Sequence, residues 1–298
     1  MIHFTGPHLW NPLLLRRLRQ LGIPTLHTLH DLDPHPGSPY GSLLHLWNRA
    51  VLHTATAILV HGKRYQERLS RYPVTHLPLL HLFLGYDLSS ELDASIHSPT
   101  PPRALRSGPL PPSPSPVVLF FGRLEKYKGV SVLLQAWERY KAGGGVGRLI
   151  LAGKGELHSL WSGALPPEVE LRQHRIEDAE ALALFREASL LVLPYIGATQ
   201  SALIPAAYAF GKPVIASRSG ALPEYVEEGR TGWLVPPGDA GALAAALAEA
   251  LQSLESPERQ CDFALNCGRW YTTQREAEEA ALSQLYTSLR GQHEYRRS

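Results

Sequence analysis

The stretch VVLFFGRLEKYKG, Val117 to Gly129, decides the fold. Val117 to Phe121, apolar and mostly β-branched or aromatic, read as a short strand buried on both faces. Gly122 ends the run. A helical pattern starts at Gly129, with Val130, Leu133, Leu134, Trp137 and Tyr140 at the three-and-four spacing of one helix face. Two cations, Arg123 and Lys128, stand in the loop between. In an open parallel sheet, a loop at the carboxyl end of a strand faces the crevice where ligands bind. Two fixed positive charges there suit a diphosphate. Taken alone, the stretch also reads as an ordinary strand–helix loop with solvated basic residues.

The next 110 residues bear on that choice, because they repeat the strand–helix alternation of a doubly wound domain. Leu149–Ala152 predicts a strand running into Gly153-Lys154-Gly155. Leu190–Pro194 predicts another, ending at Tyr195, and Pro213–Ala216 a third, followed by a turn at Gly220 and by Pro223-Glu224. Residues 201–210 read as a helix with Ser201 as its N-cap, whose first backbone N–H groups form a ready phosphate site. No GxGxxG follows the first strand and no GxxxxGK[ST] occurs. That disfavours a dinucleotide oxidoreductase and excludes a P-loop ATPase.

Composition narrows the class. The 298 residues suit one large or two small domains, and 44% apolar residues support sizeable cores. A formal charge of +2 gives no global signal for nucleic acid. Cys261 and Cys267, the only cysteines, lack a His/Cys partner cluster, so the expectation is free thiols and no metal site. No apolar run reaches the length of a membrane span and no signal-peptide pattern opens the chain, which predicts a cytoplasmic protein. Ten of the fourteen histidines lie in the first 95 residues.

Residues 1–93 read as a smaller α/β unit. Its expected elements are a strand at Met1–Phe4, a helix at Leu13–Leu21, a strand at Pro24–Leu29, a helix at Leu43–His53, a strand at Ala57–Val60 and a helix opening at Lys63–Leu69. Leu14, Leu18 and Leu21 lie on one side of the first helix, with Arg16, Arg17 and Arg19 around the other. It therefore either covers the sheet or rests on anionic lipid as a peripheral contact at the inner membrane face. Residues 94–116, rich in Pro and Ser, read as a linker. Residues 117–255 form the second domain, and 256–298 read as helices.

The ordered blocks FGR…KG, ILAGKGEL, LLVLPY, AFGKPVIAS, GALPEYV and GRTGWLVPPGD, across roughly residues 115–255, resemble the nucleotide-sugar-binding half of family 4 glycosyltransferases. The resemblance implies a GT-B fold, two Rossmann-like domains facing a cleft. The amino-terminal one lacks its first half here, with carboxyl-terminal helices returning to it and Trp270 and Tyr286 at the aromatic anchor positions. It further implies retaining transfer from a UDP- or GDP-sugar to a glycan or lipid-linked acceptor, with no metal or other cofactor. Arg123 and Lys128 match the family's diphosphate-binding cations, and Gly122, Gln200, Ser201, Ala202 and Glu224 match donor-binding positions. His30 matches a histidine beside the transferred sugar, where it can donate to a phosphate or sugar oxygen, with Asp31 and His35 nearby. Ala198 and Ala206 stand where the family has two glutamates, eight positions apart. The alternative reading is a degenerate subunit that binds a protein partner completing the amino-terminal domain.

Overall fold

The computed structural model describes residues 1–30, 32, 41–70, 79–81 and 115–295. Residues 94–114 of the linker expected at 94–116, and Asp31 and His35, lie outside the described residues. Two compact units emerge, one formed by residues 1–84 with 273–298 and one by residues 85–272.

In the first unit, β1 (Ile2–Phe4), β2 (Thr25–Leu29), β3 (Ala57–Val60) and β4 (Leu79–His81) form a parallel sheet in that order. α1 (Asn11–Gln20) joins β1 to β2, α2 (Gly41–Thr54) precedes β3 and α3 (Lys63–Ser70) follows it. Every residue of β2 and β3 is buried, the polar Thr25, His27 and Thr28 included, as in strands covered on both faces. Alternate residues of β2 serve opposite faces. Leu26 packs with Ala57, Leu59 and Leu289, while His27 stacks on Phe4 and meets Trp47 edge-on. Leu282, Leu285, Tyr286 and Leu289, on the first of these faces, come from the last helix, α8 (Pro257–Tyr295). Where the sequence reads as several carboxyl-terminal helices, α8 is one helix of 39 residues.

The second unit is a six-stranded parallel sheet. Its strands are β5 (Val117–Phe121), β6 (Arg148–Ala152), β7 (Val169–Arg172), β8 (Leu190–Leu193), β9 (Val214–Ser217) and β10 (Gly232–Val235), in the order β10-β9-β8-β5-β6-β7. Helices α4 (Val130–Ala142), α5 (Asp178–Glu187), α6 (Leu203–Ala209) and α7 (Ala240–Ser253) complete it. β5 is wholly buried, as its apolar run predicts. The edge strand β7 is only half-buried and carries an ionic ladder. Arg148 pairs with Glu170 at 2.5 Å and with Glu187, and Arg172 pairs with Glu170 at 2.7 Å and Glu180 at 3.3 Å. Charge on an edge strand blocks pairing with another sheet. The first part of α8 belongs here. Trp270 lies against Tyr208 and Tyr225, with ring centroids at 5.1 and 5.9 Å, and Phe263 against Trp233 at 4.9 Å. Of the two expected aromatic anchors, then, Trp270 packs within the second unit and Tyr286 within the first, where its hydroxyl meets His3 Nδ1 at 2.8 Å.

Candidate active site

The chain runs from β5 outward to β6 and β7, then returns to lay β8 on the other side of β5. The carboxyl ends of β5 and β8 are therefore a topological switch point, where the loops leave in opposite directions and open a crevice. The loop after β5 carries Gly122, Arg123 and Lys128, and the loop after β8 carries Tyr195, Ala198, Gln200, Ser201 and Ala202.

Three glycines lock these loops together. Gly129 ends the turn Lys126–Lys128 at φ 70°, and a Cβ there would stand 1.9 Å from the Pro194 carbonyl oxygen. Beside it, Ile196 N–H donates to the Tyr127 carbonyl at 2.7 Å. A Cβ on Gly153, after β6, would meet the Gly122 carbonyl oxygen at 2.0 Å, and one on Gly220, after β9, the Ala198 carbonyl oxygen at 1.9 Å. Only glycine permits backbones to approach so closely. Ser219 Oγ accepts from Ala198 N–H at 3.0 Å, and Ala221 N–H donates to the Thr199 carbonyl at 2.9 Å.

Within this frame the two cations differ. Lys128 is half-buried. Its Nζ donates to Tyr195 Oη at 3.0 Å and lies 4.6 Å from the centre of that ring, a cation–π contact. Gly122, at φ 128°, leaves room for it, since a Cβ there would come within 3.2 Å of Nζ. Arg123 points outward with its side chain 66% exposed, paired to Glu125 at 2.8 Å. Lys128 is thus held in place before any ligand arrives, whereas Arg123 must exchange a carboxylate for one.

The helix after this loop departs from expectation. α6 spans Leu203–Ala209, and Ala202, whose side chain offers no cap hydrogen bond, occupies its N-cap position. Ser201, buried, sits one residue earlier, with Oγ 3.5 Å from Tyr195 Oη and accepting from Leu203 N–H at 3.4 Å. The expected start at Ser201 is therefore corrected. Its hydroxyl is shared with the tyrosine that holds Lys128, and Pro205, at the third helical position, has no N–H to offer. Gln200 Oε1 is buried at the loop's end with no hydrogen-bond partner among the described residues. Ala206 is 2% exposed within a helix buried on all sides, while Ala198 is half-buried in the loop. Glu224 lies in the turn Leu222–Tyr225 after β9.

His30 belongs to the first unit, directly after β2. Its Nε2 lies 2.6 Å from the Thr5 carbonyl oxygen, so Nε2 carries the proton, and its ring is tilted over His61 at 5.1 Å. In the neutral ring Nδ1 is then an acceptor, and donation to a phosphate oxygen requires the imidazolium. Sequence reasoning missed this polarity, along with Tyr195 and Ser219, whose roles arise from contacts distant in the chain.

Residues 115–253 match the family model described as group 1 glycosyl transferases. A putative colanic acid biosynthesis glycosyltransferase of Salmonella typhimurium is 36% identical over 143 residues, covering 43% of this chain and 34% of that protein. The chain spans between 34% and 42% of the first curated relatives it matches. Among solved structures, sucrose-phosphate synthase from Thermosynechococcus elongatus superimposes with a TM-score of 0.73 at 24% identity, covering 97% of this chain and 74% of that one. HepE of Anabaena, in complex with UDP, gives 0.70 at 16% identity, covering 96% and 78%. The fold is therefore that of GT-B glycosyltransferases. Among the described residues, no helix is long and apolar enough to cross a membrane, and no cluster of three metal-ligating side chains occurs.

Proposed function

We propose that this chain is a retaining glycosyltransferase that moves a sugar from a nucleotide-diphosphate sugar to a glycan or lipid-linked acceptor. The observation that carries the reading is the pre-set Lys128 ammonium beside Arg123 at the β5–β8 switch point. In the reaction, the bond from the anomeric carbon to the diphosphate oxygen breaks, a bond from that carbon to an acceptor hydroxyl oxygen forms, and the hydroxyl proton passes to the departing diphosphate. Charge develops on the departing diphosphate, and fixed cations aimed at it lower the barrier without reorganising. Lys128 and Arg123 take that role, with Gly122, Gln200, Ser201, Ala202 and Glu224 around the donor. The known UDP complex of the structurally similar HepE supports a uridine nucleotide among the donors to test first.

One observation favours a second reading. Ala198 and Ala206 leave no carboxylate for donor sugar or ribose, as in a subunit that binds a partner and has no turnover of its own. Donor hydrolysis and transfer, measured with UDP- and GDP-sugars on wild type, Ala198→Glu, Ala206→Glu and the double variant, separate the two. Weak donor hydrolysis by the wild type is the expected result. No turnover in all four folded proteins rejects the enzyme reading.

A further inference from the structure

Gln200 lies in the loop from β8 to α6, at the carboxyl end of the sheet. The residue is partly exposed, yet its Oε1 is buried and has no hydrogen-bond partner among the described residues. An amide oxygen taken out of water without a partner destabilises a fold, and such groups are rare. We propose that this oxygen accepts a hydrogen bond from a hydroxyl of the donor, on the ribose or on the transferred sugar, where Ala198 and Ala206 offer no carboxylate. The inference rests on the nucleotide-sugar reading above. A small shift of the loop does not satisfy Oε1, because the polar groups beside it are already engaged. The Thr199 carbonyl accepts from Ala221 N–H at 2.9 Å, and Ser219 Oγ accepts from Ala198 N–H at 3.0 Å. Ser201 Oγ accepts from Leu203 N–H at 3.4 Å and lies 3.5 Å from Tyr195 Oη. The close approach of Gly220 to the Ala198 carbonyl fixes the backbone on the other side.

Chemistry selects the group that Oε1 meets. The diphosphate of a nucleotide sugar is ionised at neutral pH and offers only acceptor oxygens, so an amide oxygen gains nothing from it. The ribose and the transferred sugar flank the diphosphate on either side, and both carry hydroxyls that donate. Gln200 is one residue from Ser201, which Tyr195 links to Lys128, with Lys128 Nζ 3.0 Å from Tyr195 Oη. The acceptor therefore stands beside the frame that holds the diphosphate cation. A neutral amide suits that place: it accepts from a hydroxyl without adding a negative charge that would compete with the diphosphate for Lys128 and Arg123.

The test is titration calorimetry of the full chain with UDP, 2′-deoxy-UDP, 3′-deoxy-UDP and UDP-glucose, on wild type, Gln200→Met and Gln200→Glu. Met keeps the volume and removes the acceptor, and Glu keeps an acceptor. If the partner is a ribose hydroxyl, the wild type should lose about fivefold in affinity for one deoxy analogue. Gln200→Met should then bind UDP about fivefold more weakly and treat UDP and that analogue alike, while Gln200→Glu still tells them apart. If the partner is a sugar hydroxyl, Gln200→Met should bind UDP as the wild type does and UDP-glucose about fivefold more weakly. Without ligand, Gln200→Met should melt about 2–4 °C higher than the wild type, since the buried acceptor is gone. Gln200→Met binding all four probes as the wild type does, or melting no higher, overturns the proposal while leaving the nucleotide-sugar reading in place. A wild type that binds neither UDP nor GDP overturns that reading, and this one with it.

Discussion

Replacing Lys128 with Met should damage nucleotide binding far more than replacing Arg123 with Gln, although the sequence presents the two as a pair. Lys128 Nζ is already held by Tyr195 Oη at 3.0 Å and by the ring face at 4.6 Å, in a half-buried position. A hydrogen bond from a charged group in such a setting contributes about 1.5–3 kcal/mol. Arg123, with its side chain 66% exposed, must first give up Glu125 at 2.8 Å, and exposed ion pairs of this kind contribute about 0.2–1 kcal/mol. Lys128→Met should therefore weaken UDP or GDP binding by about 2 kcal/mol, or about 30-fold. Arg123→Gln should weaken it by less than about fivefold. Titration calorimetry on the two variants reads the difference directly. A Lys128→Met protein that binds within about twofold of wild type, or an Arg123→Gln protein that loses more, would refute the assignment of the fixed charge to Lys128.

Gly129→Ala should destabilise the second unit by about 2–4 kcal/mol, because the left-handed residue is disfavoured and its Cβ would drive the Pro194 carbonyl away; an unchanged urea midpoint contradicts the contact. Burial lowers the pKa of His27 from 6.5 to about 4, so the unfolded chain binds the proton first and stability falls as pH drops from about 6.5 towards 4, by about 3 kcal/mol at the end of that window. His27→Gln should flatten this loss when urea midpoints are compared across those pH values, and His3, also lowered by burial, accounts for part of what remains. Ala206→Glu should cost about 3 kcal/mol in the ligand-free protein, since it inserts a carboxylate into a helix buried on every side. Melting curves with and without UDP check whether nucleotide recovers that loss, as a carboxylate accepting from ribose hydroxyls requires.

Much of the second unit is legible because its strands are continuous apolar runs punctuated by glycine. β5, β6, β8 and β9 all fall within a residue or two of their sequence readings. β7, VELR, escapes that reading because an edge strand alternates its charges into solvent and its ladder. The cap at Ser201 misleads for a local reason: serine favours N-caps, but here a tyrosine six residues earlier competes for its hydroxyl. Gly268 hides the continuity of α8, since a glycine within a helical pattern reads as a break. Of the site, the cations were visible as residue types at a strand end. Their ranking was not, since it depends on Tyr195 and Glu125, and the polarity of His30 depends on a carbonyl at Thr5.

The glycine contacts between the loops after β5, β6, β8 and β9 have a consequence for how the crevice opens. Backbones that approach more closely than a methyl group allows cannot loosen one at a time, so the loops should exchange their amide hydrogens together, as a single cooperative unit. The entropy of ordering them is spent during folding rather than on encounter with a ligand. A change of specificity in such a crevice proceeds through side chains that project from the interlocked backbone, since any change of loop length or of one of these glycines has to be matched in its neighbour across the sheet.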